Sequence, residues 1–166
     1  MKYFIGIQIP LKYKTKIEML RAECRFFTTE PHITLIPPPA LPDDDIFINK
    51  VIDICNKTKP FQIELNKLGQ FGNRVLFVNV NSPNLIDLHE SIYKGLNIQK
   101  ENREFIPHLT IAKQRPKKHI DINAINERAG KVLSPYLNFK LKSIVVYYQP
   151  KERSIYIPYM QIPFNF

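Results

Sequence analysis

The chain has few of the residues that would build a fold around disulfides or metal clusters. Only two cysteines, Cys24 and Cys55, occur among 166 residues, and neither lies in a Cys-x-x-Cys or Cys/His spacing. Disulfide frameworks and zinc sites depend on such spacings, so neither is indicated. We expect two mostly buried free thiols in a protein of a reducing compartment.

Long apolar runs are also lacking. The first ten residues, MKYFIGIQIP, contain one lysine and a short apolar stretch that Gln8 and Pro10 interrupt. Such a stretch is too short for a signal peptide or a membrane span, so we expect a cytoplasmic protein without a membrane partner. No Gly/Ser-rich linker divides the chain, and its length predicts one domain over 1–166.

Acidic residues are outnumbered by basic ones. Lys and Arg total 24 against 15 Asp and Glu, which gives a formal net charge of +9. This excess favours a polyanionic partner such as RNA or a nucleotide, although a lysine-rich surface without such a partner explains the charge equally well.

The chain does contain an internal repeat. EPHITLIPPP (30–39) and IPHLTIAK (106–113) both contain Pro-His-x-Thr, and their histidines, His32 and His108, lie 76 positions apart in the sequence. Chance predicts on the order of 0.01 such matches in this composition. The same offset relates further pairs: Thr34 and Thr110, Asp45 and Asp121, Ile63 and Phe139, Leu65 and Leu141, and Leu68 and Ile144. With three extra residues, 75–78 also matches 154–157.

Hydrophobic periodicity and turn residues predict the same succession of elements in both halves. Asp45 and Ser82 are expected to be N-caps, and Pro37–Pro39 a stiff, exposed connection without an assigned role. Two such halves, related by a pseudo-twofold axis, would bring the two Pro-His-x-Thr strands together. Strands are predicted over 2–9, 31–36, 61–71, 74–80, 137–148 and 153–161, and helices over 11–24, 46–57, 83–96 and 121–130.

Each repeated motif has two chemically different faces. Side chains alternate along a strand, so His32 and Thr34 share one face while Ile33 and Leu35 share the other. Residues 108–111 repeat this pattern. A single His-x-Thr is best explained as a polar pair on a half-exposed strand, but two copies at one offset indicate a joint site.

Two imidazoles and two hydroxyls suit the chemistry of a phosphodiester. With ordinary pKa values of about 6.5, one histidine can be protonated and the other neutral near pH 7, as concerted acid–base catalysis requires. The two threonine hydroxyls can donate to phosphate oxygens. The order of acid and base stays open, and the absence of acidic residues from both motifs argues against a metal site. We expect no cofactor.

The motifs PHITL and PHLTIA, together with KYFIGIQIP and REFIPHLTIAK, resemble the two-histidine (2H) phosphoesterase superfamily. The chain is most similar to its bacterial branch of 2′-5′ RNA ligases and RNA 2′,3′-cyclic phosphodiesterases. The resemblance implies an α+β fold of two pseudo-symmetric lobes, with antiparallel sheets lining a central cleft. It also implies that His32 and His108 form the acid–base pair and that Thr34 and Thr110 hold the phosphate.

Other residues are weaker candidates for substrate binding. Lys113 stands where cyclic phosphodiesterases of this family often have arginine, which keeps the charge but not the bidentate geometry. Arg115 follows in a basic loop that could contact a phosphate backbone, and Phe4 and Tyr156 could stack on a base. His89 is expected to be a surface or partly packed residue of a helix.

We therefore expect a monomeric, metal-independent enzyme that hydrolyses 2′,3′-cyclic phosphates, or cleaves or forms 2′-5′ linkages, in RNA ends or small nucleotides. One alternative is a nuclease that degrades 2′-5′ oligoadenylate or cyclic oligonucleotide signals. Another is a non-catalytic RNA-binding module, which would not require both histidines.

Overall fold

The computed structural model describes residues 2–166 and shows an α+β fold with one antiparallel sheet of eight strands. The strands are β1 (Lys2–Gln8), β2 (His32–Ile36), β3 (Phe61–Phe71), β4 (Val75–Asn81), β5 (His108–Lys113), β6 (Asn138–Leu141), β7 (Ser143–Gln149) and β8 (Ile157–Pro163). The helices are α1 (Leu11–Glu23), α2 (Phe47–Cys55), α3 (Pro83–Leu96) and α4 (Ile122–Leu133). This confirms the expected fold class.

The strand order places the two motif strands beside each other at the centre of the sheet. The order is β6-β3-β4-β5-β2-β1-β7-β8, so four strands lie on each side of the β5–β2 junction. Ile33 of β2 pairs with Leu109 of β5 across this junction. This arrangement supports the predicted duplication, in which β1 and β4 occupy equivalent positions on either side of the motif strands.

The main core lies between the helices and one face of the sheet. Ile33, Leu35, Leu109 and Ile111 are fully buried there, because they alternate with the polar motif residues along β2 and β5. A smaller aromatic cluster, which includes Phe4 and Tyr147, lies on the opposite face. The helix-free face therefore remains available to the motif side chains.

Each motif strand contains an irregularity that alters the alternation of its side chains. Gly6 pairs with Thr34 while Ile5 pairs with Ile36, so Leu35 is an extra residue. On the other side, Phe77 pairs with Thr110 and Leu76 with Ala112. These matching bulges let two successive residues of each strand enter the core.

Several sequence predictions of helix boundaries are confirmed and one is wrong. Ser82 is at the N-cap position of α3 with Pro83 after it, but its hydroxyl donates to the Gln62 carbonyl instead of capping the helix. The Asp121 side chain accepts from the Ala124 N–H at the start of α4. Asp45 is not an N-cap: α2 starts after Ile46, which is itself helical, and Asp44 accepts from the Ile46 N–H instead. The row of three aspartates offers competing acceptors, so the sequence alone does not fix this boundary.

The last part of the chain also differs from its prediction. Lys142 separates β6 from β7, and β8 begins only at Ile157, after a turn. Residues 75–78 are half-buried to buried in strand β4, whereas most of 154–157 precedes strand β8. The predicted match between these two segments is therefore wrong. Ile63 and Phe139 are likewise direct cross-strand partners rather than equivalent positions, because β6 pairs with β3 at the sheet edge.

Both cysteines are free thiols, with Cys55 buried and Cys24 half-buried, as predicted. Pro37–Pro39 leads into a short 3₁₀ helix (Pro38–Ala40), and Pro37 and Pro38 are half-buried rather than exposed. Among residues 2–166, no helix has the length and apolar character needed to cross a membrane.

Candidate active site

The four motif side chains lie together on the helix-free face of the sheet. Because Ile33 opposes Leu109 in an antiparallel pair, His32 lies across from Thr110 and Thr34 lies across from His108. Directly opposed side chains have Cβ atoms roughly 5 Å apart, and the diagonal pair of histidines roughly 7–8 Å. This spacing leaves room for one tetrahedral phosphate between the two imidazoles.

Both imidazoles are oriented by the same backbone contact. The Nδ1 atom of His32 lies 2.6 Å from the Glu30 carbonyl oxygen, and that of His108 lies 2.7 Å from the Ile106 carbonyl oxygen. A carbonyl oxygen only accepts, so Nδ1 carries the proton in both rings. Each neutral imidazole therefore presents Nε2 as its basic atom.

The threonine hydroxyls are available for a ligand. Thr34 and Thr110 are both partly buried, and neither hydroxyl has a hydrogen-bond partner within the part of the chain that the structure describes. Because each hydroxyl lacks a protein partner and lies beside a histidine, it can donate to an anionic oxygen without first breaking another hydrogen bond.

Each histidine contacts two aromatic rings. His32 contacts Phe4, with ring centroids 4.8 Å apart, and Tyr147, at 5.6 Å. His108 contacts Phe77 at 5.2 Å and Phe71 at 5.0 Å. These rings restrict both imidazoles. Tyr147 and Phe71 occupy corresponding positions of the two halves, whereas Phe77 pairs with Thr110 where Gly6 pairs with Thr34.

The Glu30 carboxylate accepts hydrogen bonds from three side chains near His32. It accepts from the Tyr147 hydroxyl at 2.9 Å, the Gln8 amide at 2.8 Å and the Lys14 ammonium at 2.5 Å. Burial opposes ionisation, but these donors lower the pKa of Glu30 below its usual value. An ionised Glu30 thus fixes Tyr147, on which Phe4 stacks at 4.5 Å.

The electrostatics of the site favour neutral histidines in the free protein. Burial, together with the positive charges of Arg21 and His108, lowers the pKa of His32 to about 4, against the opposing hydrogen bond of the Glu30 carbonyl. Burial and the charge of Arg103 also lower the pKa of His108. The expectation of one protonated histidine near pH 7 is therefore wrong for the unliganded protein: burial of both rings was not visible in the sequence.

Arg21 of α1 is a buried cation next to this site. It is 6% exposed and donates to the carbonyl oxygens of Thr29, at 2.9 Å, and Thr110, at 2.6 Å. Burial lowers the pKa of this guanidinium to about 10, and its Nε is a buried atom without a hydrogen-bond partner. Arg21 therefore connects α1 to the second motif strand, and its positive charge contributes to the lowered pKa of His32.

Of the other candidate residues, Lys113 lies on the motif face. It pairs with Val75, on the same side of the sheet as the Phe77–Thr110 pair, because the bulge at Ile111 restores this orientation. Arg115 instead donates to the Phe27 carbonyl at 2.9 Å and lies 5.0 Å from the Phe26 ring centroid. The binding roles of both residues stay predictions.

The two aromatic candidates lie near His32 but are not equally accessible. Phe4 is 3% exposed, and most of its ring packs against His32 and Tyr147. Tyr156 is half-buried and contacts Phe4 edge-on, at 5.1 Å. Base stacking on either ring stays a prediction, and the contacts of Phe4 identify it as a support for His32.

His89 is more buried than the sequence suggested, at 7% exposure. It lines a cavity of about 590 Å³ that also reaches Thr34 and His108. The sequence prediction treated it as a helix residue without a role because its contacts come from distant segments. His119, in contrast, is exposed.

Sequence reasoning overlooked several supporting residues, namely Arg21, Glu30, Phe71 and Phe77. One signal was available, since Phe71 and Tyr147 are themselves 76 positions apart and contact the two histidines. Arg21 and Glu30 gave no such signal. Within residues 2–166, no group of three or more His, Cys, Asp and Glu side chains is placed to hold a metal ion.

Comparison with known proteins identifies relatives for most of the chain. The family model described as "2'-5' RNA ligase superfamily" matches residues 15–153. A protein of Bacillus cytotoxicus named "Putative phosphoesterase" is 35% identical over 108 residues, which cover 61% of this chain and 63% of the relative. One of Bacillus mycoides with the same description is 35% identical over 96 residues, covering 55% and 56%. These matches span less than two thirds of the relatives' own length.

Solved structures share the fold at lower sequence identity. The crystal structure of a Thermus thermophilus protein has a TM-score of 0.69 and 16% identity, covering 99% of this chain and 98% of that chain. E. coli LigT complexed with 3′-AMP has a TM-score of 0.64 and 16% identity, covering 98% and 97%. With the family match over 15–153 and this LigT-like fold, the chain belongs to the 2′-5′ RNA ligase superfamily of two-histidine phosphoesterases.

Proposed function

We propose that this protein is a metal-independent phosphoesterase that hydrolyses 2′,3′-cyclic phosphates of RNA ends or nucleotides. The observation that carries the proposal is the crossed arrangement of the motifs, in which each histidine lies opposite the threonine of the other strand. This arrangement supports contact of both Nε2 atoms and both hydroxyls with one phosphate. The family membership supports phosphoester chemistry.

The arrangement supports an in-line displacement at phosphorus. One neutral histidine accepts a proton from water as the water oxygen forms a bond to phosphorus. The bond from phosphorus to one ribose oxygen breaks, and the other histidine, protonated, donates a proton to that leaving oxygen. The product is a phosphomonoester with a free ribose hydroxyl. Thr34 and Thr110 donate to the non-bridging oxygens, where negative charge is stabilised.

Nucleotides are the favoured substrates for two reasons. The chain carries a net charge of +9, and Lys113 lies on the motif face, so a phosphate is attracted to this side of the sheet. Solved structures of LigT include complexes with 3′-AMP, NADP+, ATP and phosphate. The same geometry also suits a 2′-5′ diester, for which a ribose oxygen of the second nucleotide is the leaving group.

A panel of substrates tests this proposal. We expect the purified protein to hydrolyse 2′,3′-cyclic nucleotides in the presence of EDTA, with 2′-5′ dinucleotides as slower substrates and 3′-5′ dinucleotides unchanged. Product analysis by chromatography would show which ribose oxygen leaves. Turnover that disappears with EDTA and returns with a divalent cation would contradict the metal-independent mechanism. RNA binding without turnover of any member would favour the non-catalytic alternative.

The pKa directions predict an acidic optimum. Catalysis needs one protonated and one neutral histidine, and this state is lost above the higher pKa of the pair and below the lower one. Since the pKa of His32 is about 4 and that of His108 is lowered from 6.5, kcat/KM should peak between about pH 4 and 6.5 and fall about tenfold per pH unit above it. The profile is the same whichever histidine donates.

Binding of the substrate should move this profile. The negative phosphate stabilises an imidazolium, so the alkaline limb of kcat is expected at higher pH than that of kcat/KM. Initial rates between pH 4 and 9 measure both profiles, and thermal unfolding at each pH controls for loss of folded protein. A kcat/KM that continues to rise above pH 8 would contradict the assignment of the histidine pair.

A further inference from the structure

A cavity lies beside the proposed phosphate position, at the His108 end of the motif strands. It has a volume of about 590 Å³ and reaches from Thr34 and His108 to α3 and the segment 100–106. This volume lies within the range of about 300–1,000 Å³ that small-molecule sites occupy. A ligand whose phosphate lies between the histidines can therefore extend into it.

The opposite end of the strands is filled. There Phe26 is 5% exposed and lies under the guanidinium groups of Arg21, at 5.6 Å, and Arg115, at 5.0 Å. At each end a helix side chain contacts a carbonyl of a motif strand, although not at equivalent positions: Arg21 donates to the Thr110 carbonyl, and His89 Nδ1 lies 2.9 Å from the Leu35 carbonyl. The duplicated fold thus offers space at the His108 end, where α3 lies.

The walls of the cavity suit a flat aromatic group. Phe71, Ile86, Tyr93 and Phe105 line it, whereas charged residues at its rim are paired with one another, Lys100 with Glu90 and Arg103 with Glu101. Apolar walls with few polar groups are typical of sites for heterocyclic ligands. Glu104 also lines the cavity and has no ion-pair partner among residues 2–166, so the remaining charge is negative and does not attract a second anion.

His89 is a buried polar residue among these lining side chains. Phe105 stacks on its ring at 3.8 Å with planes 5° apart, and Tyr93 contacts it at 4.7 Å. Nδ1 carries the proton that the Leu35 carbonyl accepts, so Nε2 is the polar atom that the ring can offer to the cavity. Burial lowers the pKa of His89, which keeps Nε2 an acceptor at neutral pH.

We propose that this cavity binds the nucleobase of the nucleotide whose phosphate lies between His32 and His108, and that His89 Nε2 accepts a hydrogen bond from an amino group of that base. The inference rests on the proposed function for the position of the phosphate. It makes adenine- and cytosine-containing substrates better than analogues that lack the amino group. It also makes the base, and not only the ribose phosphate, a determinant of KM.

Filling the cavity tests the first part. Ile86 lines it and is 43% exposed on α3, so Ile86→Trp places a large ring in the cavity without disturbing the core. Met19, 42% exposed on α1 and outside the cavity lining, provides the matched control Met19→Trp. With adenosine 2′,3′-cyclic phosphate, Ile86→Trp should raise KM about tenfold or more with kcat nearly unchanged. A base-free ribose 2,3-cyclic phosphate should be turned over equally by both variants and the original protein.

A ratio of substrates tests the role of His89. In the unchanged protein, kcat/KM for adenosine 2′,3′-cyclic phosphate should exceed that of the purine riboside analogue, which lacks the amino group, by about tenfold. His89→Leu should bring this ratio close to one. Because both substrates are measured on the same variant, a partial loss of folded protein cancels. A ratio that survives in His89→Leu overturns this role.

The measurements distinguish a failure of the cavity proposal from a failure of the proposed function. Equal KM values for the base-containing and base-free substrates in all variants would overturn the cavity proposal while hydrolysis stands. If no cyclic phosphate is hydrolysed, adenosine binding by calorimetry decides. Binding that Ile86→Trp abolishes and Met19→Trp preserves would support the cavity, and absent or unaffected binding would overturn it.

Discussion

Replacing either His32 or His108 by alanine is expected to lower the hydrolysis of 2′,3′-cyclic nucleotides by about 10²–10⁴-fold. A carbonyl oxygen holds each Nδ1, so each imidazole keeps Nε2 for proton transfer. Removing one ring leaves either the attacking water or the leaving oxygen without its proton-transfer partner. The rate of cyclic-nucleotide turnover at pH 5–6, where both protonation states coexist, is the measurement.

The double variant sharpens this result. Two groups that act in one concerted step are not additive, so the double alanine variant should be little slower than the slower single variant. His119→Ala is the matched control, because His119 is exposed and lies outside the site. Near-normal turnover in either single variant would remove that histidine from the mechanism. Since His32 packs on Phe4, circular dichroism must confirm that each variant is folded.

Replacing Thr34 or Thr110 by valine is expected to lower kcat by about 10²–10³-fold. Valine preserves the shape and β-branching of threonine but lacks the hydroxyl that donates to the phosphate. Since neither hydroxyl has a partner among residues 2–166, the substitution leaves no buried group unsatisfied in the free protein. The melting temperature should therefore change little while kcat falls.

Serine distinguishes the hydroxyl from the methyl group at these positions. Thr34→Ser and Thr110→Ser keep the donor and should retain most of the activity. Thr15→Val on the exposed side of α1 controls for the general effect of the substitution, since its hydroxyl bonds only to the Leu11 carbonyl at 3.0 Å. If valine at 34 or 110 leaves kcat unchanged, or if serine is as slow as valine, the hydroxyl does not stabilise the phosphate.

Some of the site was predictable because it depends on local periodicity. Alternation along a strand assigns His32 and Thr34 to one face and Ile33 and Leu35 to the other, and burial follows that division. The equal offset of the two motifs indicated that they form one site. The helix boundary near Asp45 and the correspondence of 75–78 with 154–157 were wrong, because neighbouring aspartates compete as caps and because β8 lies at the sheet edge.

Local sequence patterns were enough to define the two half-sites, their common orientation and the chemistry they can perform. How the halves meet depends on the three-dimensional packing: the Ile33–Leu109 register sets each histidine opposite the other motif's threonine, and a bulge places Lys113 on their face. Burial of both imidazoles, which lowers their pKa values, also arises from packing. The open His108 end depends on contacts between distant segments, which repeated local motifs do not specify.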